Sequence, residues 1–209
     1  MTEVNETTFT AFQDQRRLAS GSLRDVIAAA KTSIDVSSQT PIIIFDDNTG
    51  RTVEVDFRGT TDQVLARVGV HASESRAADP ERERRPGRPK LGVVAREVTL
   101  LPRHWEWLNR QPGGASVALR KLVEEARRSH QARDRARQSQ EAVNRCMTIM
   151  AGDLPGYEEA SRAFYRGDRQ RFDQLTASWP PDVRDYLRKL VDRATSDRAD
   201  AQAEEASRV

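Results

Sequence analysis

Twenty residues near the middle of the chain, HASESRAADPERERRPGRPK at positions 71–90, constrain the fold more than any other stretch. They include no Val, Ile, Leu, Met or aromatic residue, while charges, Pro and Gly are plentiful. Such a segment cannot bury enough apolar surface to offset the entropy lost on ordering. The expectation is therefore a flexible basic linker over residues 71–92. It divides a 209-residue chain whose length suits one or two domains.

Residues 8–70 read as a small α+β domain. TFTAF and RRLAS are short extended candidates. SLRDVIAAAKTSI has apolar residues at helical spacing, with Ser22 placed to cap the helix. PIIIFDDNTGRTVEVDF reads as a hairpin with β-branched arms and an Asn48-Thr49-Gly50 turn, and its second arm alternates Val53, Val55 and Phe57 on one face. TTDQVLARVGV reads as a helix capped by Thr60 or Thr61. The order is roughly β-β-α-β-β-α.

Beyond the linker, residues 93–150 open on REVTLL, a β-prone run ended by Pro102, which suits the first position of a helix. PRHWEWLNRQ gives about two turns, with Trp105 and Leu108 three apart. Gly113-Gly114 permits a reversal, and Ser116 is placed to cap the next helix. That helix gathers Val117, Leu119, Leu122, Val123 and Ala126 on one apolar side and runs to about Met150. GDLPG breaks the pattern. The C-terminal region, 151–197, reads as helices punctuated by Asp168 and Pro180-Pro181, with the last dozen residues expected to fray.

Strand, Leu-Pro, short helix, Gly turn and Ser-capped helix, in that order, resemble the ribbon-helix-helix family of DNA-binding proteins. The resemblance implies a homodimer whose two strands pair into a ribbon that enters the DNA major groove. It implies that Gly114 and Ser116, with Arg120 nearby, hold a phosphate at the start of the second helix. It also implies base contacts from the strand, with Arg96 and Thr99 as candidate residues. One register turns Arg96, Val98 and Leu100 toward DNA and buries Glu97, Thr99 and Leu101. A slip of one residue exchanges the faces. The preceding Arg85-Pro86-Gly87-Arg88-Pro89-Lys90 resembles the core of an AT-hook, with Pro86 where a full hook carries arginine. That implies minor-groove or phosphate contacts from Arg85, Arg88 and Lys90.

The charge distribution agrees. Residues 81–128 carry 12 Lys/Arg and 6 Asp/Glu, although the whole chain is only +2. A basic middle suits a polyanionic partner.

Other chemistries lack their motifs. The histidines, His71, His104 and His130, do not fall at metal-ligand spacing, and Cys146 stands alone, so neither a zinc site nor an intramolecular disulfide is expected. No phosphate loop, dinucleotide fingerprint or nucleophile elbow is present, and no cofactor is expected. Cys146, in NRCMTIM, reads as a core residue. Asp46-Asp47 has the composition of a cation-binding turn and equally of an ordinary one. The N-terminus lacks a signal-peptide core, and no apolar run reaches the roughly 20 residues of a membrane span.

The stretches TAFQDQRRLASGSL, PIIIFDDNTGRTVEVDFRG, GRPKLGVVAREVTLLPRHWEWLNRQPGGASVALRKLVEEAR and AGDLPGYEEASRAFYRGD resemble the bacterial family named domain of unknown function 2239. This resemblance implies a bacterial, cytoplasmic protein and carries no activity with it. The sequence as a whole points to an α+β, non-enzymatic, homodimeric DNA-binding transcriptional regulator. The alternative is a dimeric adaptor that holds a protein partner and does not bind DNA. In either case the N-terminal domain is free to take an unidentified protein or ligand. A third possibility, an enzyme or small-ligand domain at the hairpin, requires a polar pocket beside Asp46, Asp47 and Arg51.

Overall fold

The computed structural model describes residues 7–36, 40–74, 94 and 96–207. Among them are three strands, β1 (Phe9–Gln13), β2 (Arg16–Gly21) and β3 (Ile42–Asp46). Seven helices accompany them: α1 (Leu23–Val36), α2 (Thr61–Glu74), α3 (Pro102–Asn109), α4 (Gly114–Ala151), α5 (Tyr157–Arg166), α6 (Arg169–Leu175) and α7 (Pro181–Ala206). The protein is α+β. It forms two compact units, Met1–Ser75 with Ala132–Val209, and Arg76–Gln131.

The first unit is built around a three-stranded antiparallel sheet in the order β2-β1-β3. Successive side chains of a strand point to opposite faces. Ala11, Ile42 and Ile44 therefore join Val26, Ile27, Ala30 and Val64 of α1 and α2 on one face. Phe12, Ile43 and Phe45 join Val143, Met147, Phe172, Tyr186 and Leu187 of the later helices on the other. A sheet covered on both faces explains why β3 is a continuous apolar run rather than an alternating one. Residues 8–70 and the C-terminal helices thus share one core instead of standing as separate units. Phe12 and Tyr186 meet edge to face with ring centroids 5.2 Å apart, and Phe45 lies 6.0 Å from the same ring. Each such aromatic pair adds about 0.5–1.5 kcal/mol beyond simple burial.

Local signals place most element ends where the sequence predicts them. Ser22 Oγ accepts the Asp25 N–H at 3.3 Å and caps α1. Thr60 and Gln63 form a reciprocal capping box at α2, with Gln63 Oε1 accepting the Thr60 N–H at 3.0 Å. Asp168 Oδ1 accepts the Arg171 N–H at 2.9 Å at the head of α6, and Pro181 opens α7.

Two elements differ from expectation. The second hairpin arm joins β3 only through the Phe45–Thr52 bridge and its flanking hydrogen bonds. Val53, Val55 and Phe57 instead lean on the α1/α2 core. The C-terminal tail does not fray at residue 197, because α7 continues to Ala206. Its Ala, Gln and Glu residues are strong helix formers.

The turn between β3 and this arm is anchored rather than solvated. Asp46 Oδ1 accepts the N–H groups of Asn48 (2.8 Å) and Thr49 (3.1 Å), closing the turn on itself. Asp47 is fully buried, and its carboxylate accepts from Thr8 Oγ1 (2.9 Å), Tyr186 OH (3.0 Å) and Lys189 Nζ (3.3 Å). Arg145 donates to the Thr49 carbonyl at 2.6 Å, and Arg193 donates to the Asp47 carbonyl and to Asn48 Oδ1. One turn thereby ties the sheet to α4 and α7.

Cys146 is buried beneath this turn, 3.7 Å from Tyr186 OH. Burial pushes its thiol up to about 12, so the reactive thiolate is scarce at neutral pH. The native protein is expected to resist Ellman's reagent at pH 8 and the urea-unfolded protein to react fully. Prompt stoichiometric reaction of the folded protein would contradict this burial.

Candidate nucleic-acid interface

The second unit takes its shape from glycines and one proline. Leu101 is extended (φ −64°, ψ 149°) and Pro102 starts α3 immediately after it. Gly113 and Gly114 have φ of +86° and +77°, a left-handed pair that reverses the chain between α3 and α4. A Cβ at Gly113 would approach the Val117 side chain at 3.1 Å, a tight contact that adds to the strain of the left-handed backbone.

Little of this unit's apolar surface is covered. Among its described residues only Leu108 and Ala118 are buried. Val98 is 54% exposed, Leu101 50%, Trp107 51% and Val123 57%, with Trp105 and Leu122 also open. The sequence groups Trp105 with Leu108 as core residues, yet only Leu108 is enclosed. Residues 96–100, the expected strand, are described without a paired strand. The segment is exposed, so water can meet its N–H and C=O groups, and they stay open to a paired strand.

The candidate DNA-contacting residues fall in two places within this unit. Arg96 and Thr99 are exposed on the extended run. Gly114, Ser116 and Arg120 occupy the first two turns of α4. No hydrogen bond or ion pair joins the two groups among the described residues. Ser116 is not the cap it was expected to be, because α4 already begins at Gly114 and Ser116 lies inside its first turn. Arg85, Arg88 and Lys90 lie outside the described residues.

The first N–H groups of a helix have no intrahelical acceptor, and they give its N-terminus a partial positive charge. At α4 that charge is followed by Arg120 and Lys121, both exposed. Arg96, Arg103 and Arg110 are exposed as well, with Arg110 near Glu106 at 4.0 Å. The arrangement is basic, open and suited to phosphate oxygens.

At the hairpin turn, Asp46 and Asp47 are consumed by internal hydrogen bonds, and no group of His, Cys, Asp and Glu among the described residues is placed to hold a metal. The bonds of buried Asp47 to Tyr186 and Lys189 had no signal in the sequence, since these partners stand 139 and 142 positions from it.

These features define a helix-rich α+β protein carrying a separate extended-run, helix and helix unit. The chain belongs to the family described as an uncharacterized protein conserved in bacteria (DUF2239), whose model matches residues 8–191. Searches among curated proteins and among solved structures found no match. Among the described residues no helix is long and apolar enough to cross a membrane.

Proposed function

We propose that this protein is a homodimeric DNA-binding transcriptional regulator of the bacterial cytoplasm, with no catalytic role, acting through residues 93–131. The observation that carries the reading is the open face of that unit. An unpaired extended run leads into two helices on which Trp105, Trp107, Leu122 and Val123 stay exposed. A second copy supplies both the missing strand and an apolar face, as in a two-stranded ribbon. Such a ribbon fits the major groove, and the exposed Arg96, Thr99 and Arg120 flank it.

The test is fluorescence anisotropy of the purified protein with labelled mixed-sequence and A·T-rich duplexes across a salt series. Affinity is expected to fall steeply as salt rises, by counterion release. Arg120→Ala is expected to weaken binding to all sequences and to reduce the salt slope by about 1, the signature of one lost phosphate contact. Arg88→Ala with Lys90→Ala tests the basic leader in the same way. No binding at low salt by a protein shown to dimerise would favour the adaptor reading, which the apolar Val98 and Leu101 on the extended run also suit.

A further inference from the structure

We propose that the polar cleft beside the β3 turn, between α4 and α7, binds a small zwitterion of amino-acid size. The cleft measures about 240 Å³ and is lined by Asn48, Arg135, Gln138, Ser139, Arg193 and Asp197, all in the first unit. Pockets for drug-sized ligands run about 300–1,000 Å³, so this one suits something smaller.

Its charges are present but not spent on each other. Arg127, Arg128, Arg137 and Arg145 each reach a Glu or Asp three or four positions away on α4. The same positions around Arg135 hold Gln131, Ala132, Gln138 and Ser139, so no carboxylate stands three or four positions from it. Arg193 is committed elsewhere: Nη1 donates to Asn48 Oδ1 at 2.7 Å and Nη2 to the Asp47 carbonyl. Two bonds fix that guanidinium and leave it spare N–H donors, since arginine carries five. Asn48 Oδ1 is used by Arg193, which leaves the amide NH₂ of Asn48 as a further donor. Asp197, half-buried and one turn beyond Arg193 on α7, lines the same cleft and makes no ion pair among the described residues.

A simple anion would meet Asp197 as a like charge, and a simple cation would meet both arginines. A molecule with a carboxylate and an ammonium satisfies both sides. Its carboxylate would take Arg135, the spare Arg193 donors and the Asn48 amide, and its ammonium would take Asp197. Charge-assisted bonds of this kind are the stronger class, and arginine suits a carboxylate through two parallel N–H donors.

The experiment is thermal denaturation of the full chain, without DNA, at constant ionic strength. It uses each of the proteinogenic amino acids in turn and inorganic phosphate. The proposal predicts that at least one amino acid raises Tm saturably. Arg135→Ala at an exposed position and Asp197→Asn, which keeps the side chain's shape, should each weaken that apparent affinity by about tenfold or more while leaving the ligand-free Tm near that of the parent. Failure of every amino acid to shift Tm overturns the proposal. So does a shift untouched by either substitution, or stabilisation by phosphate that survives Asp197→Asn undiminished, which would mark an anion site only. Because no DNA is involved, the result stands apart from that of the DNA titration.

Discussion

Asp47→Ala is expected to lower the unfolding free energy by about 1–3 kcal/mol for each buried polar group it leaves unpaired. The side chain is wholly buried and accepts from Thr8, Tyr186 and Lys189. Removing it strands the buried Tyr186 hydroxyl, left with only the weak Cys146 contact at 3.7 Å, and takes the partner of half-buried Thr8. The share of Lys189 in this loss is small. Its side chain is 58% exposed, and ion pairs in contact with water contribute little. Lys189→Ala is therefore expected to cost below about 1 kcal/mol. Asp47→Asn keeps an acceptor oxygen and most of the shape, so it falls between the two. Urea unfolding midpoints provide the comparison. If Asp47→Ala unfolds at the parent midpoint, the turn is not the anchor described here.

Gly50→Ala carries the second large effect. Gly50 has φ +65°, and a Cβ there would sit 2.5 Å from the Ala142 carbonyl oxygen and 2.7 Å from the Ala142 Cα. Both atoms are backbone of α4, so relief requires moving a helix or withdrawing the turn. Left-handed strain of about 1–2 kcal/mol and overpacking of about 1–3 kcal/mol combine to a loss of roughly 2–5 kcal/mol. Gly156→Ala is the control. Its φ is +78°, but the nearest atom to an added Cβ is an ordinary 3.7 Å away. Only the strain remains there, about 1–2 kcal/mol. Equal urea midpoints for the two variants would show that the approach of the turn to α4 is not tight.

What the sequence made legible follows from how local each signal is. Ser22, Thr60 with Gln63, Asp168 and Pro181 act on backbone groups within three or four residues, and the helices begin where these residues place them. Cys146 could be assigned to the core because a lone cysteine in a helix is usually buried, and Val143 and Met150 share its helix face. The failures are of two kinds. Asp47 looked like turn chemistry, since nothing near it in the chain announces Tyr186 or Lys189. Ser116 looked like a cap because serine is the usual solution, whereas α4 already begins at Gly114. The shared core of sheet and C-terminal helices was hidden for the same reason as Asp47. Phe12 and Phe45 alternate within their strands whichever partner covers them, and the partner helices lie some hundred residues on. In the second unit, the strand was read from composition, and composition cannot supply the strand that pairs with it.

The central claim is that residues 93–131 are completed by a second copy of the same chain. Sedimentation equilibrium on the full chain and on Val98→Glu tests it most directly. Val98 is already exposed, so the substitution leaves the single chain folded while placing a charge where two strands would meet. The account predicts twice the 23.6 kDa chain mass for the parent protein and a shift toward the single-chain mass for the variant. A parent protein that stays at the single-chain mass at micromolar concentration would contradict it.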